Sequence, residues 1–474
     1  MRRSRRILAW IAVVLVVLAI AIAGAVAALM HRFYPHPPQA AYPPPTDLAT
    51  AQRQDLDYFA HYLDLDRAYA PVARDAARAL LAQDVVAAAT FTPAQFDLAI
   101  MRMVALADNG HSQVFRGPLS RLNNRLPCRL YHFADGYHVL RARGACVALL
   151  GAKMVAIDAH PVGEIADRMF VYASGPRNHY DQYSSAYFLE SPALLHAAGL
   201  ATDAGAVTLQ LAMPDGSSRE QAIAAESPDA HAPRVSSDRY LSPLPIEGEA
   251  GGWTAALARD AALPIFLRNY DDPFRSEWWP GRGVYYAQFK SNEDEPGFPI
   301  GKFVDRVKTE MTADRPRAII VDLRFDQGGD FTTTASLMKQ LTTLSPAVQH
   351  VYVLTSAWTF SAGDVSVALA KDHGGANVSI LGEPVGDRIR MWAEGSDLTL
   401  PNSKLAIGYA TGLHDYSKSC AGDDGCFWVM YFYPMHVKSL EPDLRIDYTY
   451  ADYAALRDPV LERALMLATL ASAR

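Results

Sequence analysis

The chain has 474 residues, 50% of them hydrophobic and 10% aromatic, with 44 Lys and Arg set against 51 Asp and Glu for a formal net charge of -7. That is enough apolar material to bury cores in two or three domains. The mildly acidic balance, with no basic tract beyond the first six residues, excludes a nucleic-acid binder held by a cationic surface.

Arg2, Arg3, Arg5 and Arg6 precede an uncharged apolar run from Ile7 to Met30. A bilayer crossing needs roughly 20 apolar residues. Basic residues at its start favour a cytoplasmic N-terminus and an exported body. Residues 1–30 therefore read as a basic start and a single-pass inner-membrane anchor, with the body on the periplasmic side. A cleaved signal peptide is the alternative, with small residues around Ala23 to Ala27, but its apolar region runs only about 7–15 residues. Residues 31–48 read as an extended, proline-rich spacer. Residues 49–114 read as a helical domain, with apolar stripes over 71–82 and 93–106. Residues 115–238 turn to β patterning, with strands at 136–141, 154–157 and 206–212, a helical stretch at 191–200, and a polar linker from Glu226. In residues 239–474, strands at 284–289, 318–323 and 350–354 alternate with helices at 303–312, 333–342 and 362–371, which implies a layered α/β domain.

Four cysteines fall in two local pairs. Cys128 and Cys146 flank a hairpin pattern with Asp135-Gly136 at its turn. Cys420 and Cys426 close the small loop AGDDG. Disulfides fit an oxidising compartment. Free thiols or zinc are the alternatives, although neither pair has the close CxxC spacing of a typical metal site.

The densest chemical signal is SAWTFSAGD, Ser356 to Asp364, a short way after IIVDLRFDQGGD, Ile319 to Asp330. Ser361 lies where an apolar strand pattern gives way to a helical one. A serine there presents its Oγ beside the unpaired N–H groups and positive dipole of a helix start. Acyl transfer needs that arrangement, because charge developing on a carbonyl oxygen must meet preorganised donors. An N-cap serine is the bland alternative. Gly328-Gly329 is in isolation a simple strand-to-helix turn, yet two glycines also let backbone approach a substrate closely.

Several ordered segments together resemble the tail-specific, or C-terminal processing, serine proteases, and more closely their tricorn-like branch. LADNGHSQV (Leu106 to Val114) is similar to the family's Asp-Gly-His signature, and LLGAKMVAIDAHPVGEI (Leu149 to Ile165) to its PDZ segment. IIVDLRFDQGGD, TFSAGD and ILGEPVGD resemble its glycine turn, nucleophile turn and Gly-Glu strand end. LEPDLRIDYTYADYAALRDPVLERAL resembles its closing strand and helix. The resemblance implies a crotonase-like α/β core after a helical segment and a PDZ-like domain over 115–238. It further implies a Ser361 nucleophile and an oxyanion hole from Gly328, Gly329 and the Ala362 N–H, without metal or cofactor.

The processing branch takes its base from a lysine beyond the Gly-Glu strand end. Here that place reads Gly386-Asp387-Arg388, and Lys371 stands too early. The tricorn-like branch uses a histidine before the PDZ-like domain, and His111 matches it. A neutral imidazole accepts a proton near neutral pH without the burial a lysine base needs. No late glutamate is evident in FYPMHVKSLEPD, where Glu441 stands close to Pro442. Asp364 is either a supporting acid or a first-turn carboxylate facing the helix dipole.

These features imply a membrane-tethered serine endopeptidase. His111 activates Ser361, and the PDZ-like region recruits an exposed polypeptide terminus by strand addition. A catalytically inactive relative that binds peptides or apolar ligands is the alternative. Phe427 to Tyr433 and Trp278-Trp279 would supply its aromatic lining, although such stretches more often serve as core or rim.

Overall fold

The computed structural model describes residues 2–115, 121–233 and 235–471. Helix α1 (Arg2–Phe33) carries the apolar run and is exposed from Trp10 onward until Leu29 begins to pack on the body. Helices α2 (Leu48–Leu65), α3 (Pro71–Ala87) and α4 (Pro93–Ala105) follow. The Asp47 side chain caps α2 by accepting from the Thr50 N–H at 2.7 Å. Thr92 and Gln95 form a capping box at α4, with Pro93 in its first turn.

Residues 128–224 build an antiparallel sheet in the order β1 (Cys128–Phe133), β2 (Gly136–Ala142), β3 (Lys153–Ile157), β4 (Ala206–Ala212), β5 (Ser218–Ala224). Four short helices between Val162 and Ala197 interrupt it. The expected hairpin is present, with β1 and β2 paired from Cys128 opposite Ala142 to Phe133 opposite Gly136. This sheet, the helices α2 to α4 and a late hairpin over residues 396–409 share one apolar core.

The second sheet contains all three strands expected after residue 239. It comprises β6 (Phe274–Trp279), β7 (Val284–Phe289), β8 (Ala318–Asp322), β9 (His350–Thr355), β10 (Val378–Gly382) and β13 (Leu444–Arg445), in the order β13-β10-β9-β8-β7-β6. Every pairing is parallel except β6 with β7. Two further strands, β11 (Arg390–Ala393) and β12 (Gly412–Asp415), pair with each other antiparallel. Residues of β8 are buried throughout, as a parallel strand covered on both faces requires. Helices α5 (Ile300–Asp314), α6 (Thr332–Met338) and α7 (Ala362–Gly374) pack their apolar faces into one core with this sheet. Arg324, just past β8, is buried between Asp322 and Asp458, bonding the latter at 2.8 and 2.9 Å. It ties the loop after β8 to the start of α8 (Pro459–Ala471).

All four cysteines are disulfide-bonded, Cys128 to Cys146 and Cys420 to Cys426, with Cα separations of 5.6 and 5.3 Å. The spacer does not hang free of the body. Phe33 is buried, its ring edge-on to Phe427 at 5.4 Å. The Thr411 hydroxyl donates to the Phe33 carbonyl, the Tyr409 hydroxyl to that of Pro35, and the Tyr58 hydroxyl to that of Pro38.

Candidate active site

Ser361 stands between β9 and α7 with φ 56° and ψ -118°, a left-handed backbone that a residue with a Cβ rarely adopts. Its side chain makes no cap bond to the helix, so the N-cap role is unfilled. The turn is fixed from outside. The Phe360 N–H donates to the Asp326 carbonyl at 2.9 Å, and the Gly363 N–H to the Phe360 carbonyl at 2.9 Å. A Cβ at Gly363 would collide with that Asp326 carbonyl, so the first turn of α7 rests directly on the loop after β8.

That loop holds the two glycines, with φ of 118° at Gly328 and 122° at Gly329. A Cβ on Gly328 would lie 2.7 Å from the Ser361 Cβ, 3.1 Å from its Oγ and 3.4 Å from the Ala362 nitrogen. The Gly328 N–H is already committed to Asp326 Oδ1 at 3.2 Å, and its carbonyl accepts from Asn292 at 2.8 Å. Among the described residues the turn's hydrogen bonds do not engage the Gly329 and Ala362 N–H groups. Gly328 thus leaves space beside Ser361, the Gly329 N–H lies in the same loop, and the Ala362 N–H stands at the start of α7.

His111 comes from the loop after α4, which is clamped to β11 and to the residues before it at several points. The Asn109 side chain pairs with the backbone of β11, donating to the Trp392 carbonyl at 2.9 Å and accepting from its N–H at 3.0 Å. The Asn109 N–H donates to Ser174 Oγ at 3.0 Å. Arg388 donates to the Asp108 carbonyl at 2.6 Å and to its carboxylate at 2.7 Å. The His111 ring stacks on Phe360, the residue before Ser361, with centroids 4.4 Å apart. Among the described residues neither ring nitrogen has a hydrogen-bond partner; Nδ1 is 3.4 Å from Asp387 Oδ2, an ion-pair separation without hydrogen-bond alignment. Asp387 is 1% exposed at its side chain and His111 is 16% exposed.

Asp387 occupies the stretch where a processing-type lysine was sought. Its neighbours complete the clamp: Arg388 holds the histidine loop, and a Cβ on Gly386 would lie 3.1 Å from the Thr359 carbonyl. The only sequence signal for Asp387 was an acid directly after the GEPVG strand end. Glu441, in the region searched for a late acid, is exposed, and its N–H donates to Ser439. Asp364 is fully buried beneath the Ser361 N–H. Burial first, then the charges of Asp387 and Asp326, push its carboxyl well above the usual range. Asp364 therefore faces the interior, and the acid beside the imidazole is Asp387. Burial also raises Asp326 to about 7, against the Gly328 N–H and two 2.7 Å bonds from Asn292.

A further carboxylate, Glu394, accepts from the Tyr34 hydroxyl at 2.7 Å and lies 3.3 Å from His414 Nε2. Burial opposes its charge, but His414, Tyr34 and His111 outweigh burial and hold its carboxyl below the usual range. Glu394 and Gly329 both line a cleft of about 900 Å³ walled by Phe331, Phe427, Phe432 and Met30. A second cavity of about 570 Å³, between Arg141 and Trp253, contains none of the site residues. Among the described residues no group of three or more His, Cys, Asp and Glu is placed to hold a metal ion.

The mixed α/β body is shared with known proteins at the level of fold. Mature CPAF is similar over 90% of this chain and 97% of its own, with a TM-score of 0.54 and 13% identity. Mature CPAF in complex with lactacystin is similar over 90% and 98%, with a TM-score of 0.55 and 13% identity. The tricorn protease matches 90% of this chain and 37% of its own at a TM-score of 0.37 and 13% identity. No protein-family model matches the sequence, and no curated protein matches it.

Proposed function

We propose that the protein is a serine endopeptidase anchored in the inner membrane by α1, with its catalytic body on the periplasmic side. The observation that carries this reading is the convergence at Ser361. The serine has a left-handed backbone and no cap bond, Gly328 lies against its Oγ, and Phe360 beside it supports an imidazole backed by Asp387.

In this mechanism His111 takes the Ser361 proton as Oγ attacks a peptide carbonyl. Asp387 acts through the imidazole, holding Nδ1 as the proton-bearing nitrogen so that Nε2 accepts, and it stabilises the imidazolium that forms. The Gly329 and Ala362 N–H groups bind the oxyanion. His111 then returns the proton to the leaving amine, and water hydrolyses the acyl-enzyme by the same route in reverse. The antiparallel sheet of residues 128–224 is the PDZ-like unit that receives the substrate terminus. Its outermost strand β5, exposed along most of its length, offers an edge for strand addition.

A fluorophosphonate probe tests the chemistry. Labelling of the full chain should be lost in Ser361→Ala and in His111→Ala. A folded wild-type protein that resists the probe would sink the enzyme reading in favour of a binding module.

A further inference from the structure

The cleft beside Gly329 is built partly from the anchor helix, and its outer rim is aromatic. Met30 and Tyr34 line it together with Phe427, Trp428, Phe432 and Tyr433. Trp428, Tyr431 and Phe432 are exposed at 41%, 54% and 68%, and they form one patch, with Trp428 packed edge-on to Phe432 at 6.2 Å.

The height of this patch follows from helix geometry. Ile7 to Met30 spans about 35 Å at 1.5 Å per residue, against a hydrocarbon layer of about 30 Å. Met30 therefore sits at the edge of that layer, and it already lines the cleft. One turn later Phe33 is buried against Phe427, which directly precedes Trp428. No slack chain separates the apolar helix from the aromatic patch. The layer just outside the hydrocarbon is where Trp and Tyr are enriched in membrane proteins, because their rings bury an apolar body while their polar edge stays wet.

We infer that Trp428, Tyr431 and Phe432 seat in the interfacial layer of the bilayer and hold the mouth of the cleft beside Gly329 against the membrane surface. This rests on the reading of α1 as an inserted anchor. It goes further by committing the exposed patch to lipid rather than to a second protein, on its continuity with the apolar helix. The substrate class it selects is polypeptide emerging from the same bilayer.

The test uses the full chain in phosphatidylcholine vesicles, with or without phosphatidylcholine brominated at acyl carbons 6 and 7. The emission of Trp428 is the difference between Trp10→Phe and the Trp10→Phe/Trp428→Phe double variant. That of Trp10 is the difference between wild type and Trp10→Phe. Trp428 emission should fall at least twofold in brominated vesicles, with little quenching by aqueous acrylamide. Trp10 quenched by bromine with Trp428 unaffected overturns the proposal while leaving the anchor in place. Trp428 shielded from both quenchers also overturns it, since the patch is then covered by protein. Neither tryptophan quenched by bromine refutes the anchor itself, and the proposal with it.

Discussion

A single methyl group at residue 328 probes the centre of the site. In Gly328→Ala the new Cβ would lie 2.7 Å from the Ser361 Cβ, where carbon atoms settle at about 3.5–4.0 Å. Ser361 and the glycine turn must separate by about 1 Å. A misplacement of that size costs about 10²-fold in rate, or about 2.7 kcal/mol of barrier. The φ of 118° adds about 1–3 kcal/mol of backbone strain to the folded state. The labelling rate of Ser361 by a fluorophosphonate should therefore fall about 100-fold, with a modest drop in melting temperature. Gly199→Ala supplies the control, because Gly199 has φ 71° but no atom within 4 Å of a Cβ. It should show the strain in the melt and leave labelling unchanged. A Gly328→Ala protein that labels at the wild-type rate refutes the contact between the glycine turn and Ser361.

Three further outcomes are expected. Asp387→Asn should slow Ser361 labelling by about 10³-fold or more, because an amide neither fixes the imidazole tautomer nor stabilises its cation; a rate within threefold of wild type removes Asp387 from the mechanism. Asp97 is buried, with Asn123 donating to it at 2.8 Å, and burial raises its carboxyl from 3.8 to about 7. The folded state then keeps a proton that the unfolded chain releases, so stability is full below pH 3.8 and is lost as pH rises through 7. Asp97→Asn should accordingly be more stable than wild type in urea at pH 8, by at most about 4 kcal/mol, with the gap closing at pH 4. An equal gap at both pH values contradicts the buried-acid assignment. Replacing Cys128 and Cys146 by alanine should cost about 3 kcal/mol through the entropy of the opened loop; an unchanged denaturation midpoint speaks against that contribution.

Elements specified locally were legible in the sequence. The strands at 284–289, 318–322 and 350–355, the helix after Ser361, the turn at Asp135-Gly136 and both cysteine pairs depend on short-range patterning or short loops. Features made by distant partners were not. Nothing near Asp387 indicates that a histidine 276 residues earlier lies beside it, and no periodicity reveals that Asn109 completes the edge of β11. The difference between the two glycines was equally hidden. Two adjacent glycines look alike in sequence, yet only the fold shows the Gly328 N–H spent on Asp326. The prolines after Phe33 conveyed extension, which is a backbone property, but not the hydroxyls of Tyr409 and Tyr58 that receive them.

The docking of Phe33 and Tyr34 bears on how the protein can be shortened. Processing near Ala27 would leave Met30, Phe33 and Tyr34 in place, and with them one wall of the cleft and the hydroxyl on Glu394. A soluble form beginning at Asp47 would lose all three, baring Phe427 and releasing a carboxylate whose charge also acts on His111. The two truncations differ by only about twenty residues, yet one keeps the cleft closed on that side and the other opens it to water.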